Sequence, residues 1–252
     1  MRAYPSDRFG RPPLPRDRHR DENRGRILFR WLGKTFLVLA SLIVLLSLSL
    51  VLPLRWIDPP TTAFMLQDSS GVRPLQREWV DWRNMGNALP VAVVASEDQK
   101  FSGHMGFDVK SIRDSVEEYS QGQSLRGAST ITQQVAKNLY LWPSRSFLRK
   151  GIEAYFAALL ESILSKRRIL EIYLNIAEFG PGIYGVGAAS RSYFGKPPSA
   201  LDDTEAALLA AVLPSPTRLH VERPSSYLRE RQSWIVGNME RLRREQWILS
   251  LE

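Results

Sequence analysis

The chain has 252 residues, 44% hydrophobic and 24% charged, a balance that excludes wholesale disorder. The net charge of +8 comes from 34 Lys/Arg and 26 Asp/Glu, but residues 1–34 alone hold ten basic and four acidic side chains. The basic character is therefore mostly that of a tail, and no nucleic-acid partner is expected from it. The absence of cysteine excludes disulfides, thiolate zinc sites and thiol nucleophiles, and three histidines (His19, His104, His220) are too few for a polyhistidine metal centre.

In chain order, residues 1–25 are rich in Arg, Pro and Asp and read as disordered; residues 1–34 form the basic tail. Residues 35–54, TFLVLASLIVLLSLSLVLPL, carry no charge. As a helix they span ~30 Å, the thickness of a bilayer core. A buried soluble helix would show a polar stripe, and a cleaved leader would be followed by a small-x-small site; Leu52-Pro53-Leu54-Arg55-Trp56 follows instead. The expectation is an uncleaved anchor. The excess of Lys/Arg before it puts the N-terminus in the cytoplasm and residues 55–252 outside. Residues 55–86 read as loop-rich, with a short strand at 63–66. From Leu89 onward the pattern predicts helices at 88–101, 108–120, 130–140, 146–165, 167–178, 184–194, 203–213 and 225–249, with Asp108, Ser129 and Ser146 as N-caps. No convincing alternating strand run appears, so the outer part reads as mainly α.

Five segments stand out. Ser96-Glu97-Asp98-Gln99-Lys100-Phe101 follows the apolar run VAVVA, placing two carboxylates at the end of a buried helix. Such a site suits a general acid or base; a solvent-facing acidic pair is the plain alternative. In Gly127 to Asn138, residues Ser129, Thr130 and Gln133 cluster at a helix start, and the pairs Gln133/Lys137 and Gln134/Asn138 each share a face. That surface offers hydroxyl, amide and ammonium donors for sugars or phosphates, or else is a solvated face with a cap. Arg145, Arg149, Lys150 and Glu153 precede the apolar run AYFAALL, so this charged helix end opens onto a cleft or forms a surface pair. Segments 169–196, with Asn175 and Glu178, and 203–216 read as scaffold.

Together EDQKFSGHMGFD, GASTITQQVAKN, RKGIE, ILEIYLNIAEFGPGIYGVGAASRSYFGK and EAALLAAVLPSP resemble, in order, the motifs of the peptidoglycan glycosyltransferase family. That family comprises the transglycosylase domains of bifunctional penicillin-binding proteins and the monofunctional biosynthetic enzymes. The likeness runs from about residue 60 to 220; Ala128 stands where many members have Gly. Ser162 and Ser165 are not followed by Lys three residues on, so the monofunctional type is expected.

The resemblance implies a mainly α, lysozyme-like fold with a small jaw lobe. It implies polymerisation of lipid II into β-1,4-glycan strands, with inversion at C1 and release of undecaprenyl diphosphate. Glu97 matches the family's catalytic base and Glu153 its second glutamate. Ser129, Thr130, Gln133, Gln134, Lys137, Asn138, Arg145, Arg149 and Lys150 are the implied substrate-binding residues. No cofactor is required; a divalent cation (Mg or Mn) at Glu153 is left open. Implied partners are lipid II, the growing glycan strand, the membrane, moenomycin-type inhibitors and other wall-synthesis proteins. The implied location is the bacterial inner membrane, single-pass, with the catalytic part in the periplasm. The rival readings are a degradative lytic transglycosylase, an inactive membrane scaffold and, on the tail alone, a DNA-binding membrane protein.

Overall fold

The computed structural model describes residues 18–120, 129–144 and 146–245, in two compact units, residues 1–47 and 48–252. The first unit holds most of helix α1 (Arg18–Val51). Residues Phe29–Arg55 are helical, long and apolar enough to cross a membrane, and Phe36, Leu37, Ile43, Leu45 and Leu46 are exposed.

The second unit is mainly α. Its helices are α2 (Ala63–Leu66), α3 (Ala88–Glu97), α4 (Val109–Ser120), α5 (Ile131–Tyr140), α6 (Phe147–Ile163), α7 (Lys166–Ile176), α8 (Gly185–Phe194), α9 (Asp203–Val212) and α10 (Ser226–Arg244). Residues 63–66 are helical rather than extended because Thr62 accepts the Met65 N–H and caps a turn. Ser146 caps α6 as expected, while α5 is capped by Thr130, one residue later than Ser129. Thr130 and Gln133 form a capping box there. The predicted helix 88–101 stops at Glu97, where Asp98 leaves helical backbone geometry.

Two helices are apolar nearly all round. Leu89 to Ala95 of α3 and Ala206 to Val212 of α9 are all buried. They pack against each other, and α10 covers both with Leu228, Ile235, Met239 and Leu242. A second layer sets α5 against α6 and α7. At ~1.5–3 kcal/mol per buried large aliphatic side chain, these layers dominate the stability of the unit.

A three-stranded sheet, ordered β1 (Gln76–Arg77), β3 (Ile183–Tyr184), β2 (Glu178–Gly180), leans on α8. Gln76 pairs with Ile183 in the parallel ladder and Glu178 with Tyr184 in the antiparallel one. Asn175, fully buried, holds the chain before this sheet. Its side chain accepts the Val80 N–H at 2.8 Å and donates to the Val80 and Glu171 carbonyls at 2.9 Å. Gly185 has φ +81° and passes so close that a Cβ would lie 2.6 Å from the Asn175 carbonyl oxygen.

Two carboxylates beside the sheet behave oppositely. Burial pushes Asp68 upward, but hydrogen bonds from Ser70, Arg73 and Tyr184 outweigh it and bring its pKa down to about 2. Glu178 is raised to about 7, first by burial and then by the Asp68 charge.

Two outcomes follow. Asn175→Ala leaves the buried Val80 polar groups unpaired and should cost about 2–4 kcal/mol, read by chemical denaturation. Because Glu178 has a raised pKa when folded, its contribution is present at acid pH and is lost as pH rises from 4.5 through about 7. Melting temperature measured across that window should fall less steeply in Glu178→Gln than in the wild type.

Candidate active site

The site is built where α3 ends and α5 begins. Asp98 turns its carboxylate inward, is buried, accepts the Ile131 N–H at 3.1 Å, and lies 2.9 Å from His104 Nε2. It thus ties the start of α5 to the end of α3. The neighbouring Glu97 lines a hollow of about 330 Å³ with Ser96, Asp98, Gln99, Lys100, Asp108, Ser111, Ser129 and Thr130. Its side chain is 11% exposed.

Donors hold both Glu97 oxygens. Gln134 Nε2 donates to Oε2 at 2.9 Å, Ser96 Oγ donates to Oε1 at 3.0 Å, and Arg231 Nη2 lies 3.4 Å from Oε1. Gln134 is itself fixed, because its Oε1 accepts the Tyr173 hydroxyl at 3.0 Å. Burial first, and the Glu97 charge second, push the Tyr173 phenol well above its usual range, so it remains a donor.

A second hollow, of about 150 Å³, opens beyond Gln134. Lys137, Asn138, Tyr173 and Glu178 line it, with Phe64, Tyr184 and Pro216 among the remainder. Burial lowers the Lys137 pKa, and the charges of Glu153 and Glu97 work against that fall. Lys137 Nζ sits 5.1 Å from the Phe64 ring centroid, and among the described residues no carboxylate is within ion-pair distance of it.

Glu153 is 2% exposed. Arg149 Nη1 donates to one of its oxygens at 2.8 Å, and Lys150 Nζ donates to the other. Lys150 also donates to Ser129 Oγ at 3.0 Å, linking α6 to the residue before the cap of α5. With each oxygen engaged by a cationic nitrogen, the Glu153 donor set suits an ion-pair cluster and does not fit a divalent cation. No group of three or more His, Asp or Glu side chains among the described residues has a metal-holding arrangement.

The structure thus brings Glu97, Gln134, Lys137 and Asn138 to adjoining hollows, and links Ser129, Arg149, Lys150 and Glu153. Thr130 and Gln133 turn inward: Thr130 Oγ1 donates to the Gly106 carbonyl, and Gln133 Oε1 accepts the Thr130 N–H. Arg145 lies outside the described residues, as do Gly127 and Ala128. Sequence reasoning passed over Ser96, Tyr173 and Arg231. The last carried a legible signal, because it falls three residues after Leu228 and four before Ile235, on the apolar stripe of α10.

Comparison with known proteins bears on this arrangement directly. The family model described as Transglycosylase matches residues 65–240, which include every group named around Glu97 and Glu153. A protein of Shewanella oneidensis named biosynthetic peptidoglycan transglycosylase is 48% identical over 219 residues, covering 85% of this chain and 92% of the relative. A protein of the same name from Pseudomonas aeruginosa is 45% identical over 234 residues, covering 90% of this chain and 99% of the relative. One from Pseudomonas putida is 48% identical over 212 residues, covering 82% and 90%. With its helical catalytic unit, its two linked carboxylate centres and these likenesses, the chain belongs to the transglycosylase family.

Proposed function

We propose that this chain, a glycosyltransferase of peptidoglycan synthesis, polymerises lipid II into β-1,4-linked glycan strands. The carrying observation is the hydrogen bond from Gln134 to Glu97, which joins a proton-accepting carboxylate to the helix that bears Lys137. Proton acceptor and cation thereby border adjoining hollows.

In this reading the 4-hydroxyl of the acceptor GlcNAc enters the first hollow. Glu97 takes its proton as that oxygen bonds to C1 of the donor MurNAc. The bond from C1 to the diphosphate oxygen breaks in the same step, with inversion, and its electron pair leaves with undecaprenyl diphosphate. One displacement with a base opposite the leaving group needs no covalent enzyme intermediate, as in inverting glycosidases. The diphosphate carries its own charge and needs cations more than an acid. Lys137, Arg149 and Lys150 supply them, with Arg145 assigned to the same group.

Glu153 acts through its partners. It holds Arg149 and Lys150, whose like charges would otherwise repel. Ser129, Gln134 and Asn138 are assigned to sugar and phosphate oxygens. Thr130 and Gln133 contribute by setting the start of α5. A lytic enzyme or an inactive scaffold has no use for such a set of cations beside a base.

The N-terminal helix anchors the protein in the cytoplasmic membrane in this reading, with the tail inside and the catalytic unit in the periplasm. Tethering enzyme and lipid substrate to one surface raises their effective concentration.

With purified lipid II, Glu97→Gln should lower glycan polymerisation by at least about 100-fold while leaving the melting temperature unchanged; near wild-type turnover would refute the base assignment. Lys137→Ala should weaken binding of a diphosphate-bearing inhibitor such as moenomycin by about 10–100-fold, the worth of a lost charge-assisted hydrogen bond. Equal affinities in a titration would remove Lys137 from the leaving-group site.

A further inference from the structure

The C-terminal helix α10 packs its apolar stripe against α3 and α9. Leu228, Ile235, Met239 and Leu242 form that stripe. Arg231 falls on it, and its side chain is 21% exposed. An aliphatic side chain there would bury more favourably than a guanidinium. The cation is aimed at the end of α3: its Nη2 donates to Ser96 Oγ at 2.9 Å and lies 3.4 Å from Glu97 Oε1. Its Nε is buried and has no hydrogen-bond partner among the described residues. The guanidinium is thus incompletely satisfied, and its contacts are concentrated on one carboxylate and the hydroxyl beside it.

Ser96 Oγ has a single proton and two acceptors in range, Glu97 Oε1 at 3.0 Å and the Ala210 carbonyl at 3.3 Å. By donating to Ser96, Arg231 occupies a lone pair of that oxygen and restrains it beside Glu97. On the far side, Gln134 donates to Oε2 and is itself held by the Tyr173 hydroxyl. Without Arg231, the Ser96 hydroxyl loses that restraint and Glu97 loses the guanidinium beside Oε1.

We propose that Arg231 is a positioning residue for Glu97, acting directly and through Ser96, so that α10 helps to hold the catalytic carboxylate. The proposal rests on the reading of Glu97 as the base. Misplacement of a reacting group by about 1 Å costs on the order of 100-fold in rate, and that is the scale of effect at stake. Because Arg231 borders the carboxylate and not the second hollow, the loss should fall on turnover and not on donor binding.

The test uses the full chain in detergent with labelled lipid II, and the variants Arg231→Met, Arg231→Lys, Ser96→Ala, the Arg231→Met/Ser96→Ala double variant and Glu97→Gln. Arg231→Met should lower kcat by about 10–100-fold, with KM within about twofold and the melting temperature retained, since Met suits an apolar stripe. Arg231→Lys should recover most of the turnover. The double variant should be no slower than its slower parent, because losing Arg231 already releases Ser96.

Arg231→Met with kcat within about twofold of the wild type overturns the proposal, as do strictly additive losses in the double variant. Should Arg231→Met fail to melt cooperatively, Arg231→Lys and Ser96→Ala decide the matter: a slowed Ser96→Ala with an active Lys variant supports it, and wild-type kcat in Ser96→Ala overturns it. Glu97→Gln separates the two layers. If that variant keeps its turnover, the base assignment fails; if it is inactive while Arg231→Met is not, only the role of Arg231 fails.

Discussion

The buried carboxylate of Asp98 is the constraint on which the catalytic unit turns. It closes off α3, accepts the first free N–H of α5 and engages His104, so three pieces of chain are fixed by one side chain. A buried carboxylate is tolerated only where donors surround it, and the N-terminus of a helix supplies them. With Asp98 committed to His104 and the Ile131 N–H, Glu97 is held by side chains at the first hollow. Two adjacent acids thereby take different work: one sets backbone geometry and the other is left facing the space that a substrate would occupy.

The same division recurs among the basic groups. Arg149 and Lys150 share a buried glutamate one turn along their helix, which leaves the trio one positive charge, whereas Lys137 is kept half-buried beside an aromatic ring. Removing Glu153 would leave two close cations unscreened, and breaking a buried pair costs several kcal/mol. The carboxylate therefore belongs to the architecture of the cation surface as much as to its chemistry.

Much of this was legible in the sequence. The apolar run before Glu97 marked a buried helix, and Ser146 announced the start of α6; the run after Glu153 misled, because only Ala157 and Leu160 of it are buried and Tyr155 is exposed. Other features were hidden for physical reasons. A helical face does not reveal which polar residue turns inward, so Gln133 and Gln134 looked alike until the capping box claimed the first. Strands of two or three residues are too short to display a period of two, and the sheet left no trace. The early end of α3 depends on contacts from Asp98 to residues 104 and 131, which no local pattern encodes. Arg231 lies 134 residues from the carboxylate it touches; only its break in an apolar stripe hinted at a purpose.

The half-buried ammonium of Lys137 has a consequence for the working cycle. A cation withdrawn from water, with no carboxylate at contact distance among the described residues, costs the fold free energy. An arriving anion offsets that cost, so occupancy and rigidity are coupled through the fold's own free energy. In the proposed cycle the enzyme is tightest while the pyrophosphate is held and loosens as it departs, which ties the exchange of spent carrier for fresh substrate to a brief softening of the cleft.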